Sequence, residues 1–250
     1  MKTPLLAGRD GLWLLSISAW VLSCTPAEPA AEASASSGGE ASDRSSSLSL
    51  HMDNNLWLAL ESRDALIAGD VARAKKKMAQ LAAQEYRPLV PAAWIADMEA
   101  MQGYARAVAE ARDLQEASRA MADVAVSCGG CHQKLFGGPL GDDTRARAPE
   151  EGVEDVAGRM KRHQWAANAL WFGLARPSER DWTAGAEALV DAPLLPPRQA
   201  EGGVVDQEGH AAMERIRELG QDAQVAEEPG KRAEVYGEIL ASCFKCHASD

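Results

Sequence analysis

Alternation of apolar and polar residues with β-branched enrichment is missing from this chain of 250 residues, so its strand content should be close to zero. With it goes the βαβ setting that a thioredoxin-like Cys-x-x-Cys requires. A basic cluster is missing too. The formal net charge is −11, which excludes the electrostatic footprint of a nucleic-acid binder and leaves positively charged protein surfaces as the partners that long-range attraction would select. No apolar run near the N-terminus is long enough to span a bilayer. Leu12 to Leu22, preceded by Lys2 and Arg9, has the length and form of a secretory h-region. Cysteine is sparse at five residues, and four of the five fall into two pairs.

The fifth, Cys24, closes the N-terminal segment in the context Val21-Leu22-Ser23-Cys24. Aliphatic and small residues before a cysteine resemble a bacterial lipobox, in which that cysteine is lipidated and becomes the mature N-terminus. Residues 1–23 are therefore read as a signal peptide of lipoprotein type, with an ordinary cleaved signal peptide as the other reading. Either way the chain leaves the cytoplasm. The expected location is the periplasmic side of the bacterial cell envelope, with a lipid anchor to a membrane through Cys24. Residues 24–48 are rich in Ala, Ser, Glu, Gly and Pro and contain no aromatic residue, so they bury too little surface to fold and are expected to be a disordered tether.

Cys128-Gly129-Gly130-Cys131-His132 stands in the middle of the chain, and Cys243-Phe244-Lys245-Cys246-His247 closes it. On a helix, positions i, i+3 and i+4 share one face, so two thiols and an imidazole address one object. Cys-x-x-Cys-His is the spacing of covalent c-type haem attachment. The thiols of Cys128, Cys131, Cys243 and Cys246 would bond the two vinyl groups of each haem, and His132 and His247 would be the proximal iron ligands. Two haem c groups are the expected cofactors. A Cys-x-x-Cys alone also serves thiol redox centres and half of many zinc sites. A zinc site here would have to gather four ligands from both motifs across the 110 residues between them.

From Leu48 onward the pattern is helical. Leu56, Leu60, Leu66 and Ile67 with Trp57 recur at helix spacing, and Gly69-Asp70 reads as a C-cap glycine followed by an N-cap aspartate. The spacing predicts a second helix over 71–84, a third from Ala92 to about Ala111 after Pro88 and Pro91, and a fourth from Leu114 into the first motif. Lys134 to Gly152 is a linker by its glycine, proline and aspartate content. After it the order restarts. Aligning Met52 with Met160, an offset of 108 residues, sets Trp57 on Trp165, Leu66 on Leu174, Gly69-Asp70 on Pro177-Ser178, and Ala74 on Trp182. An offset of 115 then sets Met98 on Met213 and superposes the two motifs, the difference being absorbed between Pro193 and Gly203.

Each unit carries its motif at the end of its last helix. That order resembles class II cytochromes c, the cytochrome c′ and cytochrome c-556 type, over residues 49–133 and 154–250, with 134–153 between them. The resemblance implies an all-α fold of two tandem four-helix bundles, each with a c-type haem attached to its last helix. It implies a one-electron transfer protein and not an enzyme, serving redox partner proteins of the cell envelope, and the net charge of −11 adds that such a partner should present a basic docking face. In that family a position near the start of the first helix faces the iron. It is a methionine in cytochrome c-556-like members and an apolar residue in gas-binding cytochrome c′. By that analogy Met52 and Met160 are the expected distal iron ligands, with His51 and His163 as rivals and His210, the counterpart of Ile95, behind them. A thioether raises the potential and a second imidazole lowers it, and either saturates the iron so that only electrons pass. A vacant position would admit nitric oxide, carbon monoxide or peroxide, which makes a gas-binding or sensing cytochrome c′-like protein the alternative. A dihaem peroxidase ranks below both, because no distal His and Arg constellation is evident. Trp57, Trp94, Trp165, Trp171 and Trp182 are expected in the core, and Lys75-Lys76-Lys77 on a solvated helix face.

Overall fold

The computed structural model describes residues 37–136, 156–191 and 207–247, and the side chains of Cys246 and His247 fall outside that description. The signal segment, Cys24, most of the linker and the Pro193 to Gly203 turn lie outside it as well. The described residues are helical and include no strand: α1 (Ser37–Ile67), α2 (Val71–Ala82), a 3-10 turn at Ala92–Trp94, α3 (Ile95–Glu110), α4 (Leu114–Phe136), α5 (Val156–Ala175), α6 (Glu179–Asp191), α7 (Gln207–Gln224) and α8 (Pro229–His247). Several boundaries differ from the expected ones: α2 stops at Ala82 and not at 84, and α3 begins at Ile95 after the 3-10 turn and not at Ala92. α1 begins at Ser37, inside the stretch read as tether, and α4 runs to Phe136, beyond residue 133. Once a packed segment has nucleated a helix, each further residue adds a hydrogen bond for the residue it fixes, so a helix extends past the part that sequence pattern marks as buried.

The repeat is written into the backbone. After α1, Asp70 N donates to Ala65 O at 2.8 Å, and after α5, Ser178 N donates to Gly173 O at 3.2 Å, the same bond 108 residues on. Asp70 Oδ1 caps α2 by accepting from Arg73 N at 2.9 Å, and Ser178 Oγ caps α6 by accepting from Asp181 N at 3.2 Å. Between the third and fourth helices of each set, Ala111 N reaches Val108 O and Ala226 N reaches Ala223 O, now 115 residues apart, each at 3.3 Å. Where the first turn uses Gly69 at φ +76°, the second uses Pro177, so only the first needs a left-handed residue.

Neighbouring helices pack in chain order from α1 to α8, and the two sets of four are joined where α4 lies along α8 and α5 against α4. Alanines at 117, 120, 122 and 125 are buried on α4 and let helices approach closely. At the meeting of α1, α5 and α8, buried Arg63 lies with its guanidinium 5.8 Å from the Trp171 ring, and Trp171 stands 6.2 Å from Tyr236. Tyr236 donates to Ala167 O at 3.1 Å. Trp182 is buried as expected and donates through Nε1 to Ala223 O at 2.8 Å. Trp57 corrects the expectation: it is 53 % exposed, with Lys77 Nζ 4.6 Å above its ring. An aromatic at core spacing but on the flank of the apolar stripe is served there by a cation over its face. Lys75 likewise has a partner, donating to Ala111 O at 2.7 Å, while Lys77 pairs with Glu61.

Across the α4–α8 seam Glu238 accepts from Arg119 Nη2 at 2.8 Å and from Gln115 Nε2 at 2.9 Å. The Arg119 bond is the main influence holding the Glu238 carboxyl below its ordinary 4.5, against the opposing effect of burial. A carboxyl depressed in the folded state adds stability above the unfolded value, and that stability is lost as pH falls through the folded value. Glu238→Gln is therefore expected to be less stable than the parent at neutral pH, by less than about 1 kcal/mol for a partly exposed pair. The gap should close in acid, as read from urea denaturation at both pH values.

Candidate functional site

The last turns of α4 turn one face toward a cavity of 570 Å³, and Cys128, Cys131 and His132 all line it. α1 contributes Met52, Asn55, Leu56 and Ala59 to the wall, α3 and the turn before it contribute Trp94, Met98 and Met101, and α5 contributes Trp171, Phe172, Ala175 and Arg176. The lining is mainly carbon and sulfur. Met98, Met101 and Trp171 are buried, and Met52, Trp94, Phe172 and Cys128 pack against the same core.

His132 is oriented by a main-chain atom from beyond its own set of helices. Its Nδ1 lies 3.0 Å from Ala175 O, and a carbonyl only accepts, so the proton in this bond sits on Nδ1. Nε2 then carries the lone pair. A metal-binding imidazole needs this tautomer when it ligates through Nε2, and it is held by a partner of this kind.

The two thiols are held in their neutral form. Burial pushes the Cys128 thiol up to about 12, with the neighbouring Cys131 adding to the shift. Burial also raises Cys131, helped by the Asp97 carboxylate and opposed by Lys134, which donates to Asp97 at 2.6 Å. A Cys-x-x-Cys that works by thiol–disulfide exchange has the opposite shift, toward thiolate.

Of the residues singled out in the sequence, the structure thus gathers Cys128, Cys131, His132 and Met52 around one space. His51, next to Met52, does not line the cavity. Its Nε2 is buried without a hydrogen-bond partner, and burial lowers its pKa, as expected for an imidazole kept neutral. Cys243 sits half-buried against the core near the end of α8, while the side chains of Cys246 and His247 are outside the described set. Met160 and His163 are half-buried in the first half of α5. Met98 and Met101 add two thioethers to the cavity wall that the sequence pattern marked only as a helix face or not at all. The α5 residues carried no signal in the sequence, because they reach the first motif from the other repeat.

Two polar atoms in the cavity-lining residues are buried with no partner, Trp171 Nε1 and Asn55 Oδ1. Among the described residues no group of three or more His, Cys, Asp or Glu side chains converges as on a bare metal ion, and no described helix is long and apolar enough to cross a membrane. Comparison with models of protein families, with curated proteins and with solved structures found no match.

Proposed function

We propose that this chain is a dihaem c-type cytochrome of the bacterial cell envelope that transfers single electrons, each of two four-helix units carrying one haem on its last helix. The observation that supports it most is the convergence of Cys128, Cys131 and His132, with Met52, on one apolar cavity. Its 570 Å³ lies within the roughly 300–1,000 Å³ of cofactor sites.

The residues fit a haem. Two neutral thiols stand one helical turn apart for the two vinyl groups, and the imidazole that follows is turned so that Nε2 is the free donor. Trp94, Trp171 and Phe172 supply flat apolar surface for a macrocycle. Trp171 Nε1 is a buried donor without a partner, which a carboxylate on the bound group would satisfy. Asn55, whose Oδ1 is buried without a partner, meets the same need through its amide N–H once the amide is turned over. When bound, the haem supplies the one-electron couple of its iron.

The chain's own residues decide what that couple does. His132, fixed by Ala175 O, would hold the iron through Nε2. Met52 offers a thioether, which favours the reduced iron and raises the potential. Trp94, Trp171 and Phe172 form an apolar wall around the site, and an iron held by both side chains would pass electrons without binding small ligands. The second motif would do the same with Cys243, Cys246 and His247, with Met160 as its thioether. The net charge of −11 selects partners with a basic docking face. Potentiometric titration with optical detection tests this reading: two reversible one-electron steps are expected, and rapid binding of carbon monoxide by either reduced haem of the parent protein would overturn it.

A further inference from the structure

α5 ends at Ala175, so the carbonyls of its last turn lack partners within the helix. The first motif on α4 meets two of them. Ala175 O takes the His132 imidazole, and Leu174 O lies so close to Gly129 that a Cβ there would stand 2.1 Å from it, with Pro177 Cγ and Cδ at 3.0 and 3.1 Å. Gly130, the next residue, faces open space, with no atom within 4 Å of a Cβ at that position. The contact recurs with its parts exchanged. A Cβ on Gly69, in the turn after α1, would stand 2.0 Å from the ring of Phe244 in the second motif.

The repeat makes these two contacts one. Gly129 and Phe244 are equivalent under the offset of 115, and Gly69 and Pro177 under the offset of 108. In one place a glycine on the motif meets a proline on the turn, and in the other a ring on the motif meets a glycine on the turn. Each attachment motif is therefore seated on the turn of the other repeat.

From this the geometry points to haem sites built across the repeats, with the Ala175 carbonyl of the second repeat as the positioning acceptor for the His132 imidazole of the first, and the Gly129 seat keeping it there. The inference rests on the dihaem reading above and deepens it. The hydrogen bond from Nδ1 raises the basicity of the imidazole. Ala175 O also stands at the negative end of the α5 dipole, which strengthens the effect. A more basic ligand favours iron(III), so the second repeat lowers the potential of the first haem.

Gly129→Ala and Gly130→Ala in the full, matured chain separate this from a general effect of replacing glycine in a helix. Both variants change helix propensity alike. Only the first drives a methyl group into Leu174 O. Gly129→Ala is expected to keep two haems by intact mass and to raise one potential while leaving the other in place. The expected shift is about tenfold in the oxidised-to-reduced ratio, the lower end of what outer-shell partners give, or 59 mV for one electron. Gly130→Ala should leave both potentials where they are. Unshifted potentials in Gly129→Ala with both haems attached overturn the inference, as do equal shifts in the two variants. If Gly129→Ala does not mature, Pro177→Ala decides, since it loosens the same seat by removing ring atoms: an upward shift of one potential supports the cross-repeat site and none overturns it. Haem counting on the parent reports separately on the dihaem reading, because a parent without haem overturns that reading itself.

Discussion

Replacing Cys128 and Cys131 together by alanine is expected to halve the covalently bound haem, from two per chain to one. Both sulfurs line the same cavity. Their burial keeps them protonated, so they are not an ion pair or thiolate whose loss would disturb the surrounding helices. The second motif, near the end of α8, keeps its own pair. Intact mass should fall by one haem, and the absorption of the reduced protein by about half, with the far-ultraviolet helix signal retained. Two haems remaining in this variant would remove the first motif from the attachment chemistry.

The second large effect concerns the residue proposed to face the iron of the first haem from α1. Met52→Ala is expected to convert that haem from low-spin to high-spin and to raise carbon monoxide binding by the reduced protein from none to one per chain. The potential of that haem should fall, because a thioether favours iron(II). The neighbouring methionines make the variant informative. Met98 and Met101 also line the cavity, both nearly fully buried, so a Met52→Ala protein that stays low-spin and refuses carbon monoxide would move the ligand to one of them. A parent protein that already binds one carbon monoxide would instead place this chain with gas-binding cytochromes.

The candidate site was legible in the residues because Cys-x-x-Cys-His, the spacing of the proposed haem attachment, is a local signature. Cys128, Cys131 and His132 lie within one helical turn and a residue of each other, and helix geometry alone puts them on one face. The repeat was legible because caps are local as well: Gly69-Asp70 and Pro177-Ser178 are different chemistry at equivalent positions, and the backbone bonds around them coincide. Met52 could be chosen over His51 only from the family resemblance, since adjacent residues on a helix face directions about 100° apart and pattern does not say which one meets a distant motif. The structure places Met52 on the cavity and His51 off it.

What was not legible is what tertiary packing decides. Trp57 has the spacing of a core residue and is half-exposed, because one side chain's breadth separates the core stripe from the flank that Lys77 covers. The partner of His132 is a main-chain carbonyl, which has no residue type and so leaves no mark in a sequence. Trp171, Phe172 and Arg176 belong to the second repeat by position and to the first site by contact. Nothing in a linear repeat distinguishes two closed units from two units that lend each other a wall.

The most direct measurement is the haem content of the full chain matured in a bacterial envelope, by intact mass together with a reduced pyridine-haemochrome spectrum. Two haems per polypeptide, bound through cysteine thioethers and retained on denaturation, are expected. A colourless protein whose mass is that of its amino acids and any lipid alone would contradict the haem sites and everything derived from them.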